Sequence, residues 1–212
     1  MQEEGPDPTH SCSRSQMQRP ETGYKTLIEN VRGCTLCAPH LPCGPRPVFQ
    51  MHPKAKILIV GQAPGSRVHA TGIPFDDPSG DRLRDWMGID KATFYDPRRI
   101  AFLPMGFCYP GRGKSGDRPP RRECADNWRV AMLSTMPNIR LKLVIGQYAL
   151  DWHLKERKKR TLTETVKAWK EYRPEHLPLP HPSPRNNIWL KKNAWFEEDV
   201  LPELKKITGG LL

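Results

Sequence analysis

Ile57-Leu58-Ile59-Val60-Gly61-Gln62-Ala63-Pro64-Gly65 sets an unbroken apolar run against a loop made of two glycines, a proline and one amide. An apolar run this short, without polar alternation, reads as a strand buried on both faces, the kind that parallel sheets contain. Comparable runs follow at Ile100-Leu103, Leu141-Ile145 and Leu177-Pro180. Between and around them, helical spacing of apolar residues marks Glu21-Val31, Gly80-Met87, Arg121-Met136, Gln147-Arg157, Thr161-Tyr172 and Leu190-Lys206. Pro119-Pro120 suits a helix start, and Thr161 with Glu164 makes a capping-box pattern. Strands alternating with helices predict an α/β fold: a three-layer α/β/α sandwich around a central, mainly parallel four-stranded sheet. In such a sheet the loop Gly61-Gly65 and the late loop His181-Pro182-Ser183-Pro184 emerge at one carboxyl edge, where open α/β sheets bind their ligands.

Composition narrows the partner. Lys and Arg number 34 against 23 Asp and Glu, a formal charge of +11 over 212 residues, which suits a polyanion. Nucleic acid leads and an acidic membrane surface follows. The apolar runs are far shorter than the roughly 20 residues needed to span a bilayer, and the N-terminus lacks the apolar centre of a secretory signal. The expectation is a cytoplasmic monomer with no membrane segment. Residues 1–20, Cys12 included, hold almost nothing apolar and read as a disordered tail, leaving 21–212 as one domain. Six cysteines in a chain of this kind read as thiols or metal ligands rather than a disulfide framework.

Several residues carry chemistry. Gly72-Ile73-Pro74-Phe75 is followed by Asp76, Asp77 and Asp81, and Asp77 or Ser79 suits the N-cap of the next helix. Capping accounts for one carboxylate, not for three. The prolines around His181 hold its loop stiff, and a stiff imidazole at a strand's carboxyl end is a candidate donor to a developing anion. The loop Gly111-Arg112-Gly113-Lys114-Ser115-Gly116-Asp117-Arg118, rich in glycine and cations, reads as a phosphate clamp or as a solvated surface turn.

Taken in order, Gly61-Gln62-Ala63-Pro64-Gly65, Gly72-Ile73-Pro74-Phe75 and His181-Pro182-Ser183-Pro184 resemble the motifs of the uracil-DNA glycosylase superfamily over about Cys34 to Leu204. Cys34-Thr35-Leu36-Cys37 together with Cys108 and Cys124 resembles the family 4 enzymes, in which a CxxC and two later cysteines hold a 4Fe-4S cluster. Four thiolates also suit zinc, and buried cysteines also serve as small hydrophobes; Cys43 is a spare. Two positions depart from family 4: Gln62 stands where glutamate is usual, and Leu103-Pro104-Met105-Gly106-Phe107 lacks the asparagine that reads the uracil edge.

The resemblance implies hydrolysis of the N-glycosidic bond of a deoxyuridine flipped out of DNA. It assigns His181 to anion stabilisation and Gln62, Asp77 or Asp81 to the attacking water, with Asp77 favoured because an amide accepts no proton. Asp76 stands third. Gly61, Ala63, Pro64, Gly65, Phe75, Ser183 and Asn186 are the expected substrate contacts, with Phe75 stacking on the base and Asn186 or Asn187 reading its edge. Arg112, Lys114, Arg118 and Arg185 are the expected DNA contacts, Arg185 at a position where some relatives carry an apolar wedge. A non-catalytic DNA-binding module with a metal-thiolate staple is the alternative, and it leaves the acids and His181 without a role. A hydrolase of phosphorylated small molecules finds neither a nucleophile elbow nor a Walker loop.

Overall fold

A computed structural model describes residues 20–212. The expected tail therefore lies outside the described residues except for Pro20, which opens the helix Pro20–Arg32. Four strands form, namely β1 (Ile57–Val60), β2 (Ile100–Phe102), β3 (Leu141–Ile145) and β4 (His176–Leu179). Their order in the sheet is β2-β1-β3-β4, and every neighbouring pair is parallel. The expected α/β/α sandwich is thus present, and its sheet is wholly parallel rather than mainly so.

Period-two alternation splits the core cleanly between the two faces. Leu58, Val60, Ala101, Leu103 and Val144 pack with Val31, Ala125, Met132, Ala149 and Leu150 from the helices on one side. Ile57, Ile59, Phe102, Leu143, Leu177 and Leu179 pack on the other with Leu83, Trp86, Phe94, Val166, Phe196 and Leu204. Only Lys142 among the strand residues escapes full burial.

Helix ends follow local chemistry. Asp77 caps Pro78–Met87 by accepting from the Gly80 amide at 3.0 Å, and Thr161 and Glu164 close the expected capping box on Leu162–Lys167. The single helix read over Leu190-Lys206 is instead two, Asn187–Lys192 and a helical run over 196–211. Asn193 accounts for the break: its amide donates to the Trp189 carbonyl at 2.8 Å and its oxygen accepts from Trp195 Nε1 at 3.1 Å, competing with the helical ladder. The short helices Ser66–Thr71 and Lys91–Tyr95 lie where no helical period is visible. No helix among the described residues is long and apolar enough to cross a membrane.

Behind the sheet, His176 at the start of β4 is 7% exposed and its ring centre lies 6.1 Å from that of His153. Burial, reinforced by the Lys142 cation, pushes the His176 pKa down to about 4, and burial beside the Arg129 cation holds His153 well below the usual range. His176 is neutral in the folded chain at pH 5, whereas an unfolded imidazole gains its proton near 6.5. Stability is therefore lost as pH falls from about 6.5 towards 4, with His176 contributing about 3 kcal/mol of the loss. Urea denaturation across that window should display this slope, and His176→Gln should flatten it.

Candidate active site

At the carboxyl edge of β1 and β2 a cleft of about 540 Å³ is walled by the loops that follow β1, β2 and β4. Gly61, Gln62, Ala63, Pro64 and Gly65 form one wall, Phe75 and Asp77 a second, and His181, Ser183, Arg185 and Asn186 a third. Backbone pairing carries the β1–β2 neighbourhood past the strands: the Met105 amide donates to Gly61 O at 2.9 Å and the Gly106 amide to Gln62 O at 3.0 Å. The fully buried Arg129 donates to the carbonyls of Leu103, at 2.9 Å, and Pro104, at 2.5 Å, which fixes the end of β2 from beneath. Burial lowers its pKa to about 10, so it remains a cation at neutral pH.

The His181 loop holds its imidazole in one state. Nδ1 accepts from the Ser183 amide at 3.1 Å, so a neutral ring carries its proton on Nε2. Burial lowers the His181 pKa; the Asp77 and Asp117 carboxylates oppose that shift and the Arg185 cation adds to it. The ring is accordingly a neutral donor at pH 7. Asn186 donates to the His181 carbonyl at 2.7 Å, Arg82 donates to Ser183 O at 3.2 Å, and the Ser183 hydroxyl accepts from the Arg185 amide at 3.3 Å. One N–H of Asn186 is thus committed to the loop, and the residue still lines the cleft.

Phe75 sits opposite the first loop in a left-handed conformation, φ 54°, that a phenylalanine rarely adopts. Its ring packs on Phe94 and Phe102 at centroid distances of 6.4 and 5.8 Å, and Tyr95 donates to its carbonyl at 3.3 Å. Two glycines make room for it. A Cβ at Gly61 would lie 3.4 Å from the Phe75 ring, and one at Gly80 would lie 1.8 Å from the Phe75 carbonyl oxygen.

Of the three acids downstream, Asp77 reaches the cleft. Asp81 does not: it sits on the first turn of the helix with its side chain 74% exposed and paired to Arg84. Its helical phase, set by the Asp77 cap, turns it to solvent, so its expected part in catalysis is corrected. Asp76 faces a separate groove beside Tyr95 and Arg32. A carboxylate that the motifs did not single out, Asp117, borders the cleft together with Ser115 and Gly116. Arg112, Lys114 and Arg118 are exposed on that same loop, and Arg118 also lines a groove with His40, Arg121 and Arg122. Arg129 was missed as well, although its spacing from the buried Ala125 and Met132 puts it on the inward face of its helix.

The cysteines gather in one patch of the core. Cys37, Cys108 and Cys124 are buried, Cys34 is half-buried and accepts from Trp128 Nε1 at 3.3 Å, and Cys43 is exposed. Burial, and after it the charges of Cys37, Cys108 and Cys34, push the Cys124 thiol up to about 12, while a hydrogen bond links Cys37 and Cys124. Burial by itself marks an inert thiol, and it is the meeting of four sulfur donors that suits a thiophilic metal or cluster. Among the described residues, no three His, Cys, Asp or Glu side chains are arranged as a group that could hold a metal ion.

A parallel sheet whose carboxyl edge presents a locked neutral imidazole, an aromatic ring and two carboxylates, beside an exposed loop carrying Arg112, Lys114 and Arg118, has the parts of a hydrolytic cleft. The profile of the uracil DNA glycosylase superfamily matches residues 49–205, and the chain belongs to that superfamily of DNA repair glycosylases. The solution structure of a Methanosarcina acetivorans protein, itself provisionally a uracil DNA glycosylase, is 16% identical with a TM-score of 0.43, covering 74% of this chain and 98% of that one.

Gly80→Ala tests how the cleft is built. The added methyl meets backbone, not a movable side chain, so Phe75 must shift. Overpacking of this kind costs about 1–3 kcal/mol, and the thermal midpoint should fall by several degrees.

Proposed function

We propose that the chain hydrolyses the N-glycosidic bond of deoxyuridine in DNA, releasing uracil and leaving an abasic site. The observation that carries this reading is the His181 imidazole, neutral and with its proton fixed on Nε2, in the same cleft as the Phe75 ring. A base flipped from DNA stacks on Phe75, which is braced from behind by Phe94 and Phe102. As the bond to the sugar lengthens, negative charge grows on the base carbonyls and His181 Nε2–H donates to it. Because the donor is set before the base arrives, little reorganisation accompanies the charge movement.

The remaining residues position the reactants. Gly61, Ala63, Pro64 and Gly65 supply a backbone wall, and Gln62 orients water but accepts no proton from it. Asp77 faces the sugar as a fixed negative charge, with one oxygen held by the Gly80 amide. Ser183 and Asn186 act through the His181 loop they clamp. Arg112, Lys114, Arg118 and Arg185 contact phosphates and set register rather than base identity.

For the thiols, a structural 4Fe-4S cluster on Cys34, Cys37, Cys108 and Cys124 is the reading their number and ligand type favour, whereas a single zinc ion would need a tighter donor group than the described residues present. When bound, it would pin the basic loop between Cys108 and Cys124; catalysis passes through the side chains above. Protein purified without oxygen should contain about four iron and four sulfide per chain and show visible absorbance that bleaches on reduction. Stoichiometric zinc in a colourless protein, or neither metal, would reject the cluster.

The reaction itself is tested with a single-stranded oligonucleotide carrying one uracil, followed by alkaline cleavage of abasic sites. Wild-type protein should cut at the uracil, and His181→Ala should lower the single-turnover rate by about 10²–10³-fold, the usual loss for an anion-stabilising donor. Tight DNA binding without any abasic product would favour the non-catalytic module instead.

A further inference from the structure

Three acids follow the first motif, and the geometry brings only Asp77 of them to the cleft. Asp81 faces solvent with Arg84, Asp76 faces another groove, and Asp77 has one oxygen committed to its helix cap. The second carboxylate at the cleft is Asp117, which arrives on the basic loop after β2 and is the more open of the two to solvent.

That loop is a small hairpin. Arg112 and Asp117 pair as an antiparallel bridge, the Gly113 amide donates to Gly116 O at 2.6 Å, and the Arg118 amide donates to Gly111 O at 2.8 Å. Tyr109, 7% exposed, gives Asp117 a hydrogen bond from its hydroxyl. The carboxylate lies over the first motif, where a Cβ on Gly65 would stand 3.7 Å from Asp117 Oδ2. On the other side, a Cβ on Gly116 would stand 3.0 Å from the guanidinium of Arg185, so the hairpin tip also reaches the late loop. Asp117 is exposed at the mouth of the cleft, where water has access.

Resting on the glycosylase reading above, we propose that Asp117 is the general base of this protein, taking a proton from the water that attacks the sugar. Water oxygen bonds to the sugar C1′ as the C1′–N1 bond breaks, and the bonding pair leaves with uracil. The uracil anion is held by the His181 Nε2–H donor and gains its proton from solvent. The proton lost by the water passes to the Asp117 carboxylate and from there to solvent, so charge and atoms balance. One hairpin then carries both the base and the phosphate contacts Arg112, Lys114 and Arg118, so that engagement of the DNA backbone sets the carboxylate over the sugar.

Asp117→Asn keeps an oxygen to accept from Tyr109 and removes the proton acceptor, which separates chemistry from scaffolding. Single-turnover cleavage of a uracil oligonucleotide is measured beside binding to the same strand carrying 2′-deoxypseudouridine, whose carbon–carbon link resists hydrolysis. The expected result is a rate about 100-fold lower or worse, with affinity and thermal midpoint unchanged. A loss of less than about tenfold, or one matched by lost affinity, overturns the role of Asp117 while an active wild type keeps the glycosylase reading. A wild type that releases no uracil overturns both.

Discussion

Everything at the cleft depends on β1 being hydrogen-bonded on both sides to parallel neighbours, β2 and β3. Parallel pairing sends each strand's following loop to the same edge, and the order β2-β1-β3-β4 means that the chain leaves β1 to one side and returns on the other. Such a reversal opens a crevice at the carboxyl ends. The chain after β3 turns at once through Gly146 into the helix Gln147–Leu154 and adds nothing to the lining, which leaves the loop after β4 to meet those of β1 and β2.

Rigidity is imposed on each wall by a different device. The first wall borrows hydrogen bonds from Met105 and Gly106, and Arg129 holds the end of β2 from within the core. Phe75 is wedged between Gly61 and Gly80, and His181 is fixed by Ser183 and Asn186. Buried cations are costly unless hydrogen-bonded, so Arg129 stays tolerable only while the two carbonyls remain in place. Its burial and the loop geometry therefore support each other. The hairpin carrying Asp117 is tied mainly to itself, and Arg112, Lys114, Asp117 and Arg118 on it are exposed.

The sheet was legible in the sequence because strands buried on both faces leave apolar runs, unbroken in Ile57–Val60 and interrupted only by Lys142 in Leu141–Ile145. Caps were legible for a similar reason: Asp77, Thr161 and Glu164 act within three residues of their partners. His181 and Phe75 came from motif order, and the cleft does bring their loops together. Asp81 was misread because its direction depends on helical phase, which the Asp77 cap fixes and composition does not. Asp117 was passed over because a cationic glycine loop reads as a phosphate clamp, and its one acid gains meaning only where the hairpin crosses Gly65. Asn193 broke a helix through side-chain bonds to Trp189 and Trp195 that spacing alone does not reveal.

The central claim is that the cleft between these loops, rather than the grooves beside it, receives a base drawn out of DNA. A crystal structure with a strand carrying 2′-deoxypseudouridine tests it most directly. The account predicts the base lying on the Phe75 ring, with His181 Nε2 about 2.6–3.2 Å from one of its carbonyl oxygens. A base still stacked in the strand, or held in the groove lined by Arg118 and Arg121 with His181 facing only solvent, would contradict it.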